Sequence, residues 1–190
     1  MKKVFAAAAA LALCTGLLAG CGEKSSGERI DGGLADSLPI DLEFASGVGA
    51  WSTDLTLEPD GSFSGEYHDA DMGDIGDDYP DGTMYLCNFS GKFTDIKQLD
   101  DHSYSLTLEE LSSDYEQDKE WVVDGVRYVS SEPYGVEEGK DFILYLPDTP
   151  TEGLNEEFLS WWPGQYQEDQ SDTLGFYGLY NVDMGYGFFG

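Results

Sequence analysis

From Ala50 onward the chain alternates between apolar and polar positions with a period of two. Trp51, Thr53, Leu55 and Leu57 fall on one side of an extended segment, with Ser52, Asp54, Thr56 and Glu58 on the other. Pro59-Asp60-Gly61 supplies a turn, and Phe63, Gly65 and Tyr67 then alternate with Ser64 and Glu66. Two such runs joined by turn residues predict a β-hairpin. The same rule predicts strands over Thr83–Phe93, Ser103–Leu111 (Tyr104, Leu106 and Leu108 inward) and Asp141–Leu146. It also predicts Glu120–Val123 and Val126–Ser130 across an Asp124-Gly125 turn, and a last strand over Leu174–Asn181.

One segment changes period. In Thr149 to Gly164, Asn155 suits an N-cap, Glu156 and Glu157 suit a first turn, and Leu154, Phe158 and Trp161 or Trp162 share a face before Pro163-Gly164 stops the helix. Eight strands and one short helix, with no repeat of fixed period, predict a mainly β fold. A sheet of that length must close or leave edges open, and eight strands suffice to close around a small interior. The expected architecture is an antiparallel up-and-down β-barrel, or a strongly curved sheet, with the helix packed on one side or end.

The first twenty residues follow neither period. Lys2 and Lys3 precede an apolar stretch from Val4 to Ala19, shorter than the roughly 20 residues of a spanning helix. That arrangement is a secretory signal. Leu18-Ala19-Gly20-Cys21 resembles the lipobox of bacterial lipoproteins. The resemblance implies diacylglyceryl transfer to the Cys21 thiol, cleavage before it and acylation by chains such as palmitate. Cys14 does not compete, because Leu13 stands where a small residue is wanted.

Three segments are therefore expected: a signal peptide over 1–20, a flexible tether over 21–40 that is polar and rich in glycine and serine, and a single barrel-like domain over 41–190. Two acyl chains, at about 0.8 kcal/mol per buried methylene, hold a protein on a bilayer without a transmembrane helix. The expected location is the bacterial cell membrane, on its extracytoplasmic face.

Two further resemblances concern the domain. Gly49-Ala50-Trp51 resembles the G-x-W element that opens lipocalin barrels, although only three residues carry it and no T-D-Y element follows. The stretch from Gly49 to Asp74, with "FSGKF", "FLSWW" and "YGLYNV", resembles a group of bacterial lipoproteins across most of the chain. That likeness implies the anchor and a lipocalin-like fold, and brings no activity with it.

Charge narrows the partners. The 190 residues carry a formal −29, and loss of Lys2 and Lys3 with the leader would take this to −31. Nucleic-acid binding draws its affinity from lysines and arginines that this chain lacks, so no nucleic-acid partner is expected. Besides the membrane reached through Cys21, a small molecule, a glycan or a basic peptide fits the surface.

Candidate chemistry is sparse. Between Asp69 and Asp81 lie six aspartates. Counted from Asp69, a calcium loop of the EF-hand type finds Asp71 in its third place. It then finds Gly73 in the fifth, Asp74 in the sixth and Pro80 in the twelfth, where the motif wants an acid or amide, a glycine and a glutamate. Two readings stay open. One is a weak calcium site through Asp69, Asp71, Asp74, Asp77 and Asp78, the only cofactor the sequence suggests; the other is a solvated acidic loop.

Cys87, left without a partner once Cys14 is cleaved and Cys21 acylated, reads as a small buried hydrophobe. His68 and His102 lack zinc-motif spacing. Glycan hydrolysis needs two carboxylates at a defined separation, which 38 acids offer without selecting any pair. No catalytic residue is assigned, and the chain is expected not to be an enzyme.

The aromatic surplus is the remaining clue. Adjacent Trp161 and Trp162 point about 100° apart on a helix, so one of them faces a surface or a pocket mouth. Both are candidate ligand-stacking residues. The expected function is a lipid-anchored binding lipoprotein. The alternative is an envelope interaction lipoprotein whose acidic face engages a basic partner.

Overall fold

A computed structural model describes residues 34–47, 49–166 and 171–190. The leader, the lipobox from Leu18 to Cys21 and most of the expected tether lie outside the described residues. Ten strands are present: β1 (Ile40–Ala45), β2 (Trp51–Leu57), β3 (Ser62–Asp71), β4 (Thr83–Asp100), β5 (Ser103–Ser113), β6 (Glu120–Val123), β7 (Val126–Ser130), β8 (Asp141–Tyr145), β9 (Gly178–Asn181) and β10 (Tyr186–Phe189).

Eight of these strands close an antiparallel barrel in the order β3-β2-β1-β10-β9-β8-β5-β4, with β4 pairing back onto β3. The fold is thus the mainly β, up-and-down barrel expected, built from a partly different set of strands. The hairpin β6–β7 stays outside the ring: β7 runs parallel to the first residues of β4, Thr83 facing Arg127 and Leu86 facing Ser130. Its burial pattern gives the reason, because every residue of β6 is exposed and none of β7 is fully buried. A strand with no buried face has no claim on the lumen. Asp124 and Gly125, both at positive φ, form its tight turn.

The two strands that replace this pair in the ring are β1 and β10. In β1, Ile40, Leu42 and Phe44 are buried and Asp41 and Glu43 are exposed or partly so, with the register Leu42 to Leu55 on β2. Leu34, inside the stretch read as a tether, is also buried in the core. β10 pairs with β9 through Gly187 to Tyr180 and Phe188 to Leu179, and closes the ring where Phe189 meets Glu43. The helix α1 is a single turn, Glu156–Leu159, with Asn155 Oδ1 accepting from Glu157 N at 2.7 Å. Pro163 begins a 3-10 turn, Pro163–Tyr166.

Side chains fill the lumen. Phe44, Phe63, Phe93, Phe142 and Phe188 are all 2 % exposed or less, interleaved with Leu55, Leu57, Leu106, Leu144 and Leu179. Phe93 touches Phe63 (4.7 Å between ring centroids) and Phe142 (5.0 Å). A second apolar cluster lies outside the ring, where Phe158 of α1 packs on Tyr180 and Phe189 of the outward faces of β9 and β10. These two strands are buried on both faces, as their burial patterns show.

One end of the barrel is plugged by the loop between β7 and β8. Val136 is fully buried, and Tyr134 stacks among Phe44 (5.6 Å), Trp51 (5.3 Å), Tyr67 (5.7 Å) and Tyr186 (5.5 Å). Two carbonyls of the plug turn inward and meet buried donors: Thr53 Oγ1 donates to Tyr134 O at 2.7 Å, and Asn181 Nδ2 donates to Gly135 O at 2.9 Å. Gly135 sits at φ +99°, and a Cβ there would lie 2.8 Å from Phe44 and 2.9 Å from Phe188. Only glycine fits both the backbone and the space.

Phe44 is the hub of this end, touching Trp51, Tyr134, Trp161, Tyr186 and Phe188. Phe44→Ala should cost about 3–5 kcal/mol of unfolding free energy by urea titration, the range for emptying a fully buried ring. Tyr166→Ala, at a ring 84 % exposed, should change it by less than about 0.5 kcal/mol.

Candidate functional site

Two concave regions stand out, both at the rim of the barrel. The first lies above the plug. The first residues of β4, Thr83–Asn88, run on past its pairing with β5, and β3 and β7 flank them there as a wall beside the plug loop. Tyr67 of β3 and Tyr85 of β4 project from that wall, Tyr115 enters from the segment after β5, and Tyr134 and Glu137 form the floor. Val129 of β7, Ser130, Ser131 and Glu132 complete a pocket of about 360 Å³ that opens to solvent.

The floor carboxylate is the unusual group. Glu137 Oε2 is buried with no hydrogen-bond partner among the described residues. Burial pushes its carboxyl above the usual range, outweighing hydrogen bonds from its own and the Gly135 backbone, and neighbouring Glu132 and Glu138 push the same way. The tyrosines respond to the same surroundings. Burial raises Tyr67 to about 12, with Asp69, Glu137 and Tyr85 adding to it, and burial, a hydrogen bond with Tyr186 and Glu137 raise Tyr134. These hydroxyls therefore stay protonated near neutral pH and serve as donors, not bases. The residues lining the pocket include no lysine or arginine.

The second region is a groove of about 300 Å³ between the 3-10 turn and the seam of β1 with β10, lined by Trp161, Tyr166, Gln165, Ser160 and Glu43 among others. The two candidate tryptophans lie not on the helix, as the sequence predicted, but in the turn between α1 and the 3-10 turn, because α1 ends at Leu159, and they diverge there. Trp162 is 6 % exposed in the outer cluster, its indole donating to Leu174 O at 2.9 Å. Trp161 is half-buried, donates to Gly185 O at 3.1 Å and presses edge-on against Phe44, with one side left to the groove.

The acidic loop takes up local roles. Asp71 Oδ1 accepts from Gly73 N (2.9 Å) and Asp74 N (3.2 Å), the geometry of an Asx turn. Asp74 pairs with Arg127 of β7, whose guanidinium also lies over the Tyr79 ring (4.6 Å) and donates to Thr83 Oγ1. The loop is thereby fastened to the outer hairpin. Among the described residues no three carboxylate, histidine or cysteine side chains form a metal-binding group, and Asp69, Asp77 and Asp78 do not gather with the other two. Cys87 is buried within the core and burial raises its thiol to about 11, which makes it inert as a nucleophile.

That one of Trp161 and Trp162 would reach a pocket mouth was legible from their adjacency, but not which of the two. The tyrosine pocket was not, because its members come from four separate segments and share no spacing. Compared with family models, curated proteins and solved structures, the chain matches none.

The raised carboxyl has a consequence for stability. An acid whose folded pKa exceeds its unfolded value opposes folding once pH rises above that unfolded value, about 4.3 for glutamate, and has no effect below it. Glu137→Gln should therefore raise the melting temperature at pH 7, and the gain should disappear below about pH 4. Thermal unfolding of both proteins across pH 3.5–7.5 checks it; an equal gain at every pH would mean that ionisation of Glu137 is not the cause.

Proposed function

We propose that this chain is a lipid-anchored, extracytoplasmic binding protein that takes its ligand at the barrel rim and not inside the lumen. The observation that carries the reading is the pocket above the plug, lined by four tyrosines and Glu137, whose enclosed Oε2 has no hydrogen-bond partner among the described residues. Buried polar atoms in folded proteins are nearly always paired, and exceptions concentrate where a ligand or ion completes the pairing. The packed phenylalanines leave the lumen to structure, so the lipocalin-like habit of holding cargo within the barrel does not extend to this chain.

The lipid anchor rests on the leader and on Leu18-Ala19-Gly20-Cys21, and its expected outcome is specific. The native mature chain should begin at Cys21 carrying acyl chains, read as a mass increment on the N-terminal peptide. Cys21→Ala should abolish the increment and move the protein from the membrane fraction to the soluble one. An unmodified Cys21 in the native product would contradict the anchor.

The alternative, an envelope lipoprotein that engages a basic partner, draws support from the outer hairpin. There β6 offers a free edge with Trp121, Val122 and Val123 exposed beside Glu120. A screen of glycans, amines and basic peptides separates the two readings. A rim-pocket ligand should lose about tenfold or more in affinity with Tyr115→Ala, and a hairpin partner should lose it with Trp121→Ala.

A further inference from the structure

We infer that the rim pocket is a receptor for a protonated aliphatic amine that lacks a carboxylate of its own, a mono- or diamine small enough for about 360 Å³. This rests on the rim-pocket reading above and names the chemistry of its ligand.

Three observations converge on the amine. Glu137 lines the pocket with a carboxyl whose enclosed Oε2 has no partner among the described residues, and an ammonium held against this side chain supplies a compensating charge. Tyr67, Tyr85, Tyr115 and Tyr134 place aromatic rings around the same space, with Tyr67 and Tyr134 only 5.7 Å apart between centroids. Ring faces attract a cation whose hydration shell is loose enough to shed. Finally, both charged residues that line the pocket are acids, Glu132 at the rim and Glu137 on the floor, with Asp69 and Glu138 close by, while the nearby Lys119 is paired with Glu116. Arg127, on the same strand as Val129, is held by Asp74 and Glu120.

Other occupants fit less well. A calcium ion is better served by several carboxylates, and no three acid, histidine or cysteine side chains gather among the described residues. A ligand carboxylate would meet Glu132 and Glu137. A neutral sugar could stack on the rings and give Glu137 a hydroxyl, but gains nothing from the surrounding acids. A diamine suits the arrangement best, one ammonium reaching the floor at Glu137 and the other the rim at Glu132.

The test is calorimetric titration of the full chain, solubilised in a non-ionic detergent, with 1,4-diaminobutane. Butane-1,4-diol serves as neutral isostere and 4-aminobutanoate as the analogue carrying a carboxylate. The diamine should saturate. The amino acid should bind about tenfold more weakly or worse, and the diol should not saturate. Glu137→Gln should weaken the diamine by about tenfold or more, the loss expected for a charge-assisted bond. Tyr115→Ala, at a ring already 37 % exposed, should weaken it without disturbing the fold.

Absence of saturable heat with diamine up to about 10 mM overturns the inference, since millimolar affinity marks the weak end of specific binding. So does diamine binding unchanged by Glu137→Gln, which would be condensation on the acidic surface. Diol binding as tight as diamine binding, and lost with Tyr115→Ala, would overturn the amine while leaving a rim-pocket ligand standing. A ligand from the wider screen that is insensitive to both substitutions would remove the pocket itself.

Discussion

Thr53 Oγ1 and Asn181 Nδ2 hold two backbone carbonyls, those of Tyr134 and Gly135, in a part of the barrel where water does not reach. Both donors are themselves fully buried. A buried carbonyl left without a donor costs about 1–3 kcal/mol, so the loop cannot turn into the lumen unless both bonds form together. With them in place, Val136 completes the core, Phe44 and Phe188 close around Gly135, and the aromatic ring of contacts through Trp51 and Tyr186 follows. The same loop sets Tyr134 and Glu137 as the floor of the rim pocket. Core packing and the candidate site are thus two faces of one loop, and a change that loosened the plug would alter both.

The chain's acids divide into two groups by environment. Most of those with a resolved shift are held ionised by hydrogen bonds, two within turns and two across the fold. Asp60 accepts from Ser62 Oγ and Ser62 N and is lowered to about 2; Asp100 accepts from His102 N; Asp114 binds Asn88; Asp183 accepts from Lys140 N and Asp141 N. Asp71 makes a similar turn in the loop that looked most like a metal site. These bonds explain why an acidic sequence can fold: many carboxylates carry out the short-range work that favours aspartate in turns. Glu137 is the opposite case, displaced upward by burial and lacking a partner for one oxygen. Carboxyl groups pushed apart in this way mark where structure ends and recognition begins.

Much of the barrel was legible in the alternation of residues 51–111 and 141–146, because those strands bury one face and wet the other. β10 was hidden for the reverse reason. Tyr186 and Phe188 face the lumen while Gly187 and Phe189 face the outer cluster under α1, so no polar residue marks the period. Ile40–Phe44 carries as clear an alternation as β2 but was not read as a strand, because it follows a polar stretch that reads as linker. The hairpin Glu120–Ser130 was legible as two strands and not as lying outside the ring, since pairing partners are set by the parallel contact with β4. The pocket was illegible because Tyr67, Tyr85, Tyr115 and Tyr134 meet only through the fold. Trp161 and Trp162 divide as the sequence predicted, into a buried ring and a groove-lining one, although they do so in the turn after α1 and not on the helix itself.

Native-state hydrogen exchange at Val136 tests the plug most directly. Its amide donates to Pro133 O at 3.1 Å in a residue fully buried under the barrel end. If the loop is integral to the core, this amide exchanges only with global unfolding, at the free energy shown by Leu144 in the centre of β8. Exchange of Val136 at a free energy well below that of Leu144 would show that the plug opens alone, which would make the lumen accessible and remove the fixed floor on which the rim pocket depends.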